Sequence, residues 1–193
     1  MNIELKNFKH SEFMSQETHA FEATVWVDGK RAFTAENDGH GGADFYLPVK
    51  GQTRSDMTKI HQQIRDHHLE KVFNDMNKTY FRNCPDEDNE WVKNLSDEAI
   101  VEIVIADLIT KKLMTKTLKQ RFRKNVLILE EDGSISLLEF KGKPKIEPIH
   151  IAVVEDQHPD AIIMNTLPLD KAVDIYMTAI DKHDRESREG ESS

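Results

Sequence analysis

Two Asp-Gly pairs, each set between two apolar runs, constrain the fold of this chain more than any other feature. An Asp-Gly pair in that setting predicts a β-hairpin, because both central residues of a type I′ turn need positive φ. We therefore expect antiparallel sheet at two separate places in the chain. The predicted hairpins span residues 21–35, around Asp28-Gly29, and residues 126–140, around Asp132-Gly133.

Between the hairpins the apolar spacing changes from two residues to three or four, which predicts two amphipathic helices. The first begins at Ser55 and runs for about twenty residues. The second begins near Ser96, a good N-cap residue, and either ends near Lys124 or breaks at 115–117. Further strands are predicted at 5–13, 45–49, 149–154 and 161–164, and a short helix is predicted after Pro168.

This order of elements predicts an α+β fold, because hairpins outnumber strand–helix–strand units. We expect a single domain over residues 1–180, with an N-terminal antiparallel meander, two central helices, a later hairpin and a C-terminal helix. A chain of 193 residues is long enough for one such domain with a full core. Residues 181–193 are almost entirely polar, so we expect them to form a disordered tail.

The formal net charge of −9 disfavours non-specific binding of the whole molecule to nucleic acid or to membranes. It permits an acidic face that docks on a basic partner. The single cysteine, Cys84, excludes an intrachain disulfide, and the first residues lack the apolar segment of a signal peptide. The most apolar run, 99–109, is too short and too charged to span a bilayer. We therefore expect a cytoplasmic protein with no membrane partner.

A glycine loop, residues 37–42, follows the first hairpin and is the segment most typical of a binding site. Three of the protein's 8 glycines lie in it, beside Asn, Asp and His. Glycine suits a backbone that needs positive φ or that approaches another group closely. The glycine spacing fits neither a dinucleotide-binding fingerprint nor a P-loop. The loop is therefore interpreted either as a demanding turn or as the lip of a binding site.

The predicted topology brings a second polar cluster to this loop. Residues 15–18 lie just before the first hairpin, and the glycine loop lies just after it. In a three-strand meander those two ends meet at one edge of the sheet, so we expect their side chains to lie close together. The candidate partner- or ligand-binding residues are Glu17, Thr18, Asn37, Asp38, Gly39, His40, Gly41 and Gly42.

The histidines do not predict a metal site on the first helix. His61 and His68 are seven residues apart, which separates them by about 10 Å along the helix axis, too far for one ion. A site built from His10, His19 and His40 in the β region stays open. The sequence contains no catalytic signature, and we expect no cofactor and no bound metal.

The segment 111–124 contains seven Lys or Arg residues and no acid. Such a segment can bind the phosphate backbone of nucleic acid or an acidic protein. It also suits the end of a helix, because cations complement the negative end of the macrodipole. The candidate nucleic-acid-binding residues are Lys116, Lys119, Arg121, Arg123 and Lys124.

The tripeptide Glu139-Phe140-Lys141 indicates another alternative, a Mg²⁺-dependent nuclease. Restriction-type nucleases carry an acid and then Glu-x-Lys on neighbouring strands, where carboxylates hold Mg²⁺ and the lysine helps to activate water. Glu130 or Asp132 would supply the upstream acid. The other interpretation is a solvent-facing Glu and Lys on either side of a buried Phe140.

Five short motifs follow one another in the N-terminal part of the chain. They are Lys9-His10-Ser11-Glu12-Phe13, Ser15-Gln16-Glu17-Thr18, Phe21-Glu22-Ala23, Val27-Asp28-Gly29-Lys30 and the glycine loop. In this arrangement, from residue 9 to residue 42, the chain resembles a group of small uncharacterised proteins encoded by bacteriophages and plasmids. The resemblance implies a mobile-element origin and a life inside bacteria, and it carries no activity over to this chain.

Together these features predict a non-enzymatic intracellular interaction protein of phage or mobile-element origin. We expect it to bind a host or phage protein and to act as an inhibitor or counter-defence factor. The alternatives are a nuclease that uses Glu139 and Lys141 and a nucleic-acid-binding module that uses residues 111–124. The sequence predicts neither the identity of the partner nor the oligomeric state.

Overall fold

The computed structural model describes residues 1–80, 94–143 and 145–190, without the side chains of 75–80, 181 and 184–190. Cys84 lies outside the described residues. The chain falls into two compact units, Met1–Ile109 and Thr110–Ser193, and its elements form the α+β fold that the sequence predicts. A single domain over residues 1–180 stays a prediction. None of the described helices combines the length and the apolar character that a membrane span requires.

The first unit contains a four-stranded antiparallel sheet. Its strands, in spatial order, are β1 (Ile3–Ser11), β2 (Ala20–Val27), β3 (Lys30–Asn37) and β4 (Phe45–Pro48). Asp28 and Gly29 have φ of 47° and 76°, so both central residues of the first hairpin have the positive φ of a type I′ turn. The predicted hairpin is therefore confirmed.

The strand β3 contains one extra residue relative to β2, and this residue decides which side chains of β3 face the core. Beside the turn, Val27 lies opposite Lys30, whereas further along Val25 lies opposite Phe33. The extra residue is a β-bulge, and it reverses the alternation of the strand beyond it. Phe33 is consequently buried, and Glu36 is exposed.

The helix α1 (Arg54–Tyr80) buries its apolar face in the first unit. Thr53 caps the helix, because its hydroxyl accepts the N–H of Asp56 at 3.2 Å. The predicted spacing of three and four residues is confirmed for the described part of this face. Its fully buried members are Met57, His61, Ile64 and Val72.

The helix α2 (Asp97–Lys124) runs through the boundary between the two units. The Ser96 hydroxyl accepts the N–H of Ala99 at 3.1 Å, which confirms the predicted N-cap. The break considered at 115–117 does not occur, and the helix ends at Lys124 as the alternative prediction has it.

The second unit contains a three-stranded sheet whose central strand is buried on both faces. In spatial order its strands are β6 (Ile135–Glu139), β5 (Asn125–Leu129) and β7 (Ile162–Ile163). Leu127 of β5 packs into an apolar cluster with Tyr176, and Val126 and Ile128 pack into a second cluster. The hairpin around Asp132-Gly133 and the short strand predicted at 161–164 are confirmed.

The strand predicted at 149–154 is wrong, because these residues belong to the helix α3 (Pro148–Gln157). Pro148 occupies the first turn, where its fixed φ suits a helix and its missing N–H is not needed. The Glu147 N–H donates to His150 Nδ1 at 2.9 Å, which satisfies a backbone donor next to the helix. These local signals outweigh the strand preference of the β-branched residues in this segment.

The C-terminal helix α4 (Leu169–Gly190) is longer than predicted. It continues through residues 181–190, where the sequence predicts a disordered tail, whereas 191–193 lie outside the described residues. Its first turns pack through Ala172, Val173 and Tyr176, all of them buried. Once a helix is nucleated by such packing, each further residue adds one backbone hydrogen bond, so a polar continuation can remain helical.

Candidate binding cleft

The glycine loop and the connection between β1 and β2 lie against each other. The Gly39 carbonyl accepts the N–H of Gln16 at 3.0 Å and the N–H of Glu17 at 3.1 Å. The Thr18 hydroxyl donates to Asn37 Oδ1 at 2.8 Å. The two polar clusters on either side of the first hairpin therefore meet, as the meander topology predicts.

Two glycines of the loop fill positions that another residue could take only with strain. Gly39 has φ of 89°, and a Cβ added there would lie 2.2 Å from the Met14 carbonyl oxygen. Gly41 has φ of 84°, and a Cβ there would lie 2.1 Å from Glu17 Oε2. Gly42 has open space where a Cβ would lie. Backbone conformation and close packing thus account for Gly39 and Gly41 as parts of a demanding turn.

Asn37 holds the glycine loop together through its side chain. Its Oδ1 accepts the Gly39 N–H at 2.8 Å in addition to the Thr18 hydroxyl. Its Nδ2 donates to the Gly42 carbonyl at 2.8 Å and to Asp44 Oδ1 at 3.0 Å. Asn37 and Thr18 are partly buried and Gly39 is buried, so these three residues form the scaffold of the loop.

The other candidate residues are exposed on the outside of this scaffold. They are Glu17, Asp38, His40, Gly41 and Gly42. Asp38 Oδ1 accepts the His40 N–H at 3.2 Å, which fixes the local turn and leaves the second carboxylate oxygen outside that bond. These five residues form the accessible surface of the candidate site.

A cleft of about 440 Å³ opens beside the glycine loop and extends over β2, β3 and β4. Glu22 of β2 lies opposite Glu36 of β3, and Glu36 lies opposite Phe45 of β4. Lys9 of β1 lies opposite Glu22, so four side chains form a row across the sheet in the order Lys9, Glu22, Glu36 and Phe45. Asp38 of the glycine loop also lines the cleft. The cleft therefore combines three carboxylates with the exposed ring of Phe45.

The charges in this row are not balanced. Lys9 Nζ lies 2.8 Å from Glu22 Oε2, and both side chains are exposed. Within the described chain, no side chain forms an ion pair with Glu36. Like charges directly opposite each other on neighbouring strands are destabilising, so the sheet itself gains nothing from this pair of glutamates.

Large apolar side chains are exposed on the same part of the first unit. Phe45 and Leu47, on alternate positions of β4, are 52% and 39% exposed. Phe13, in the connection between β1 and β2, is 94% exposed. Single exposed apolar residues are common, but an exposed aromatic ring beside unbalanced carboxylates is suited to a basic, partly apolar ligand.

A partly buried titratable cluster lies in the same unit. Asp44, which Asn37 anchors, accepts the Tyr46 hydroxyl at 3.2 Å through Oδ2. Burial raises the pKa of Asp44 despite these hydrogen bonds. Burial and the nearby Asp44 carboxylate raise the pKa of Glu102 and the pKa of Tyr46. The cluster therefore favours neutral forms of its acidic groups.

From the sequence, His61 is considered only as a metal ligand, and its buried position in the core is not predicted. His61 is 2% exposed, and its ring packs edge-on against Phe33 and Tyr46 with centroids 4.7 and 5.1 Å away. Burial lowers the pKa of His61. The available signal was its position four residues after Met57, because that spacing puts both on one helix face.

The metal site considered for His10, His19 and His40 is not assembled. His10 and His19 contact edge to face with ring centroids 5.5 Å apart, and His10 Nε2 lies 3.2 Å from the Ser15 hydroxyl. Across residues 1–80, 94–143 and 145–190, no group of three or more His, Cys, Asp or Glu residues could hold a metal ion.

The candidate nucleic-acid-binding residues do not share one surface of α2. Lys116, Lys119 and Arg123 are exposed at spacings of three and four residues, so they lie on one helix face. Arg121 lies on another face, where its guanidinium donates to the Tyr176 hydroxyl and lies 5.4 Å from the ring centroid. Lys124 is exposed at the end of the helix.

The acids of the nuclease alternative lie at opposite ends of the later hairpin. Glu139 ends β6 and lies opposite Asn125, whereas Glu130 and Asp132 lie at the turn. Glu130 lies opposite Ser134, which comes five residues before Glu139, so a rise of about 3.4 Å per residue separates Glu130 from Glu139 by about 17 Å, and Asp132 lies further into the turn. Direct ligation of one Mg²⁺ needs oxygen atoms about 2.1 Å from the ion, so these acids cannot share it.

The geometry of the loop and of the cleft is thus defined, whereas a binding role for the eight candidate residues stays a prediction. No protein-family model, no curated protein and no solved structure matches the chain. The resemblance to proteins of bacteriophages and plasmids also stays a prediction. Glu22, Glu36 and Phe45 also line the cleft; the sequence drew attention to Glu22 only within the motif Phe21-Glu22-Ala23, and to Glu36 and Phe45 not at all as binding residues.

Proposed function

We propose that this protein is a non-enzymatic interaction protein that binds a basic segment of a partner protein in the acidic cleft. The observation that supports this function is the opposed pair Glu22 and Glu36 at the centre of the cleft. Lys9 neutralises one of these glutamates, and the second keeps an uncompensated charge. A lysine or arginine of a partner would supply the missing positive charge.

Three features make a basic side chain a better ligand than an acidic or a neutral one. Glu36 and Asp38 offer carboxylates to an ammonium or a guanidinium group. Phe45, half exposed at the end of the row, offers a ring face for a cation–π contact and for the alkyl part of a long side chain. The net charge of −9 favours encounters with a basic partner over encounters with nucleic acid.

The glycine loop supports binding by keeping the cleft in one shape. The bonds from Asn37 to Gly39, Gly42 and Asp44 fix the backbone on both sides of Asp38 before any partner arrives. A site that is already ordered loses less conformational entropy on binding than a flexible one. The loop therefore acts as a scaffold, and Asp38 is the loop residue that we expect to contact the partner.

The biological setting is part of the same proposal. A mobile-element origin, inferred from the resemblance of residues 9–42, gives the protein a bacterial cytoplasm to act in. A basic host or phage protein is the expected partner, and blocking its basic surface would make this chain an inhibitor or a counter-defence factor.

Selection of random peptides on the purified full chain tests the proposal. We expect enrichment of peptides that contain Lys or Arg, and loss of at least about tenfold in affinity in Glu36→Lys, because each charge-assisted bond contributes about 1.5–3 kcal/mol. Glu155→Lys, an equal charge change at an exposed position of α3, is the matched control. Enrichment of acidic peptides, or equal losses in both variants, would contradict the proposal.

The exposed basic face of α2 supports a second candidate function, binding of the nucleic-acid backbone. Lys116, Lys119 and Arg123 share one face over about two turns of helix, a suitable length for neighbouring phosphates. Replacing all three with Gln should reduce the salt dependence of DNA or RNA binding. Replacing Lys143, an exposed lysine outside α2, should leave the salt dependence of binding unchanged. If the affinity of both variants fell with salt concentration at the same slope, this function would be excluded.

A further inference from the structure

A cavity of about 560 Å³ lies in the second unit, between the β5–β6 hairpin and α4. Its size is within the range of about 300–1,000 Å³ that is usual for small-molecule sites. Leu127, Ile135 and Ile180 give it an apolar wall, and Arg121 and Tyr176 contribute polar groups. This combination of an apolar wall and few convergent polar groups is typical of a ligand site.

The charged groups around the cavity are mainly cationic. Arg121 contributes a guanidinium and Lys182 an ammonium, whereas Asp132 contributes one carboxylate. That carboxylate is engaged locally, because Asp132 Oδ1 accepts the Ser134 N–H at 2.8 Å and the bonds to Ser134 lower its pKa. Lys182 donates to the backbone carbonyl of Asp132, and its charge adds to the lowering of the pKa of the Asp132 carboxyl. The cavity therefore favours an anion over a cation.

Arg121 has donors to spare for such an anion. Its partners within the described chain are the hydroxyl and the ring of Tyr176. A guanidinium carries five N–H donors in a planar fork, and one of them serves the Tyr176 hydroxyl. The remaining fork matches the oxygen atoms of a carboxylate or a phosphate, and stacking against the buried ring of Tyr176 restrains its orientation.

We propose that this cavity binds a small amphipathic anion, with a carboxylate or phosphate head at Arg121 and an apolar body against Leu127, Ile135 and Ile180. The site lies in the other unit from the acidic cleft, so it does not depend on the function proposed there. A neutral apolar molecule would gain the apolar contacts alone, and a cation would be repelled by Arg121 and Lys182.

Calorimetric titration of the full chain with four eight-carbon probes tests this proposal. Octanoate and octyl phosphate share the apolar chain and carry the two anionic heads, whereas octanol and octylamine carry a neutral and a cationic head. We expect saturable 1:1 binding of at least one anion, about tenfold or more tighter than binding of octanol or octylamine. The tighter of the two anions identifies the preferred head group.

Variants locate the binding in this cavity. Arg121→Gln should weaken anion binding by about tenfold or more, and Leu137→Glu, which adds a carboxylate to the lining, should weaken it as well. Lys171→Gln removes an exposed cation from α4 outside the cavity and should stay within about twofold of the original chain. Equal binding of octanol and octanoate, unchanged affinity in Arg121→Gln, or no saturable binding of either anion would overturn the proposal.

Discussion

At the scale of single residues, Gly39 is the position where the glycine loop tolerates least change. Its φ of 89° and the Met14 carbonyl, 2.2 Å from where a Cβ would lie, both exclude a side chain. We expect Gly39→Ala to lower the free energy of unfolding by about 2–4 kcal/mol in urea denaturation. Gly42→Ala, where a Cβ has open space, should stay within about 0.5 kcal/mol. Similar losses in both variants would contradict this interpretation of the loop.

His61 gives the first unit a predictable response to acid. Because burial lowers the pKa of His61 below its ordinary value of 6.5, the unfolded chain binds this proton more tightly than the folded one. Its contribution to stability is therefore present above pH 6.5 and is lost as the pH falls toward the lowered folded value. We expect His61→Phe to show a smaller loss of stability between pH 7 and about pH 5 than the original chain.

Two other groups of the first unit act in the opposite direction, so the comparison needs a control. Burial raises the pKa of Asp44 and of Glu102, so the folded chain binds these two protons more tightly than the unfolded chain does. Both groups therefore add to the stability of the fold as the pH falls below the raised pKa values. Both carboxyl groups remain in His61→Phe, and so does their effect on the pH profile. His158→Phe, at an exposed histidine, should follow the original profile. A His61→Phe profile parallel to the original would show that His61 does not titrate as described.

At the scale of elements, the N-cap of α2 is a feature that the sequence predicts correctly. Ser96 caps α2 through the Ala99 N–H, and an N-cap serine contributes about 1 kcal/mol. We expect Ser96→Ala to lower the free energy of unfolding by that amount. Ser55→Ala, inside the first turn of α1, replaces an exposed serine with a better helix former and should not destabilise the protein. A loss at Ser55 equal to the loss at Ser96 would argue against a capping role.

The first hairpin shows why an element can be predicted while its surface is not. Without a bulge, the register that pairs Val27 with Lys30 would continue along both strands and place Glu22 opposite Ala35. The bulge in β3 sets Glu22 opposite Glu36 instead, and this one-residue shift decides which face each side chain occupies. Bulges have no reliable sequence signal, so the hairpin was foreseeable from Asp28-Gly29 but the opposed glutamates of the cleft were not.

Features that depend on the order of neighbouring elements could be predicted, whereas features that depend on contacts between distant parts of the chain could not. The meander topology predicted the meeting of residues 15–18 with the glycine loop, because that meeting depends only on the order of three strands. The cavity beside Arg121 unites residues from α2, the later hairpin and α4, which no local pattern connects. The helix α3 was mistaken for a strand because Ile and Val favour strands unless a helix start overrides them.

At the scale of the whole molecule, charge makes the proposed binding dependent on ionic strength. The net charge of −9 attracts a basic partner from a distance, whereas Glu36 and Asp38 hold it at contact. Long-range attraction between exposed charges is screened beyond about 10 Å at 0.1 M salt, and contacts within a cleft are screened less. Salt should therefore slow association more than it accelerates dissociation.

Binding kinetics of the best selected basic peptide would separate these two effects. Between about 50 and 300 mM salt we expect the association rate constant to fall several-fold and the dissociation rate constant to change less. Glu36→Gln should mainly raise the dissociation rate, because it removes a contact in the cleft and only one unit of the overall charge. Glu155→Gln removes the same charge outside the cleft and should slow association slightly, with the dissociation rate unchanged. If both variants altered only the association rate, the partner would be held by the overall field of the molecule, and the acidic cleft would have no specific role.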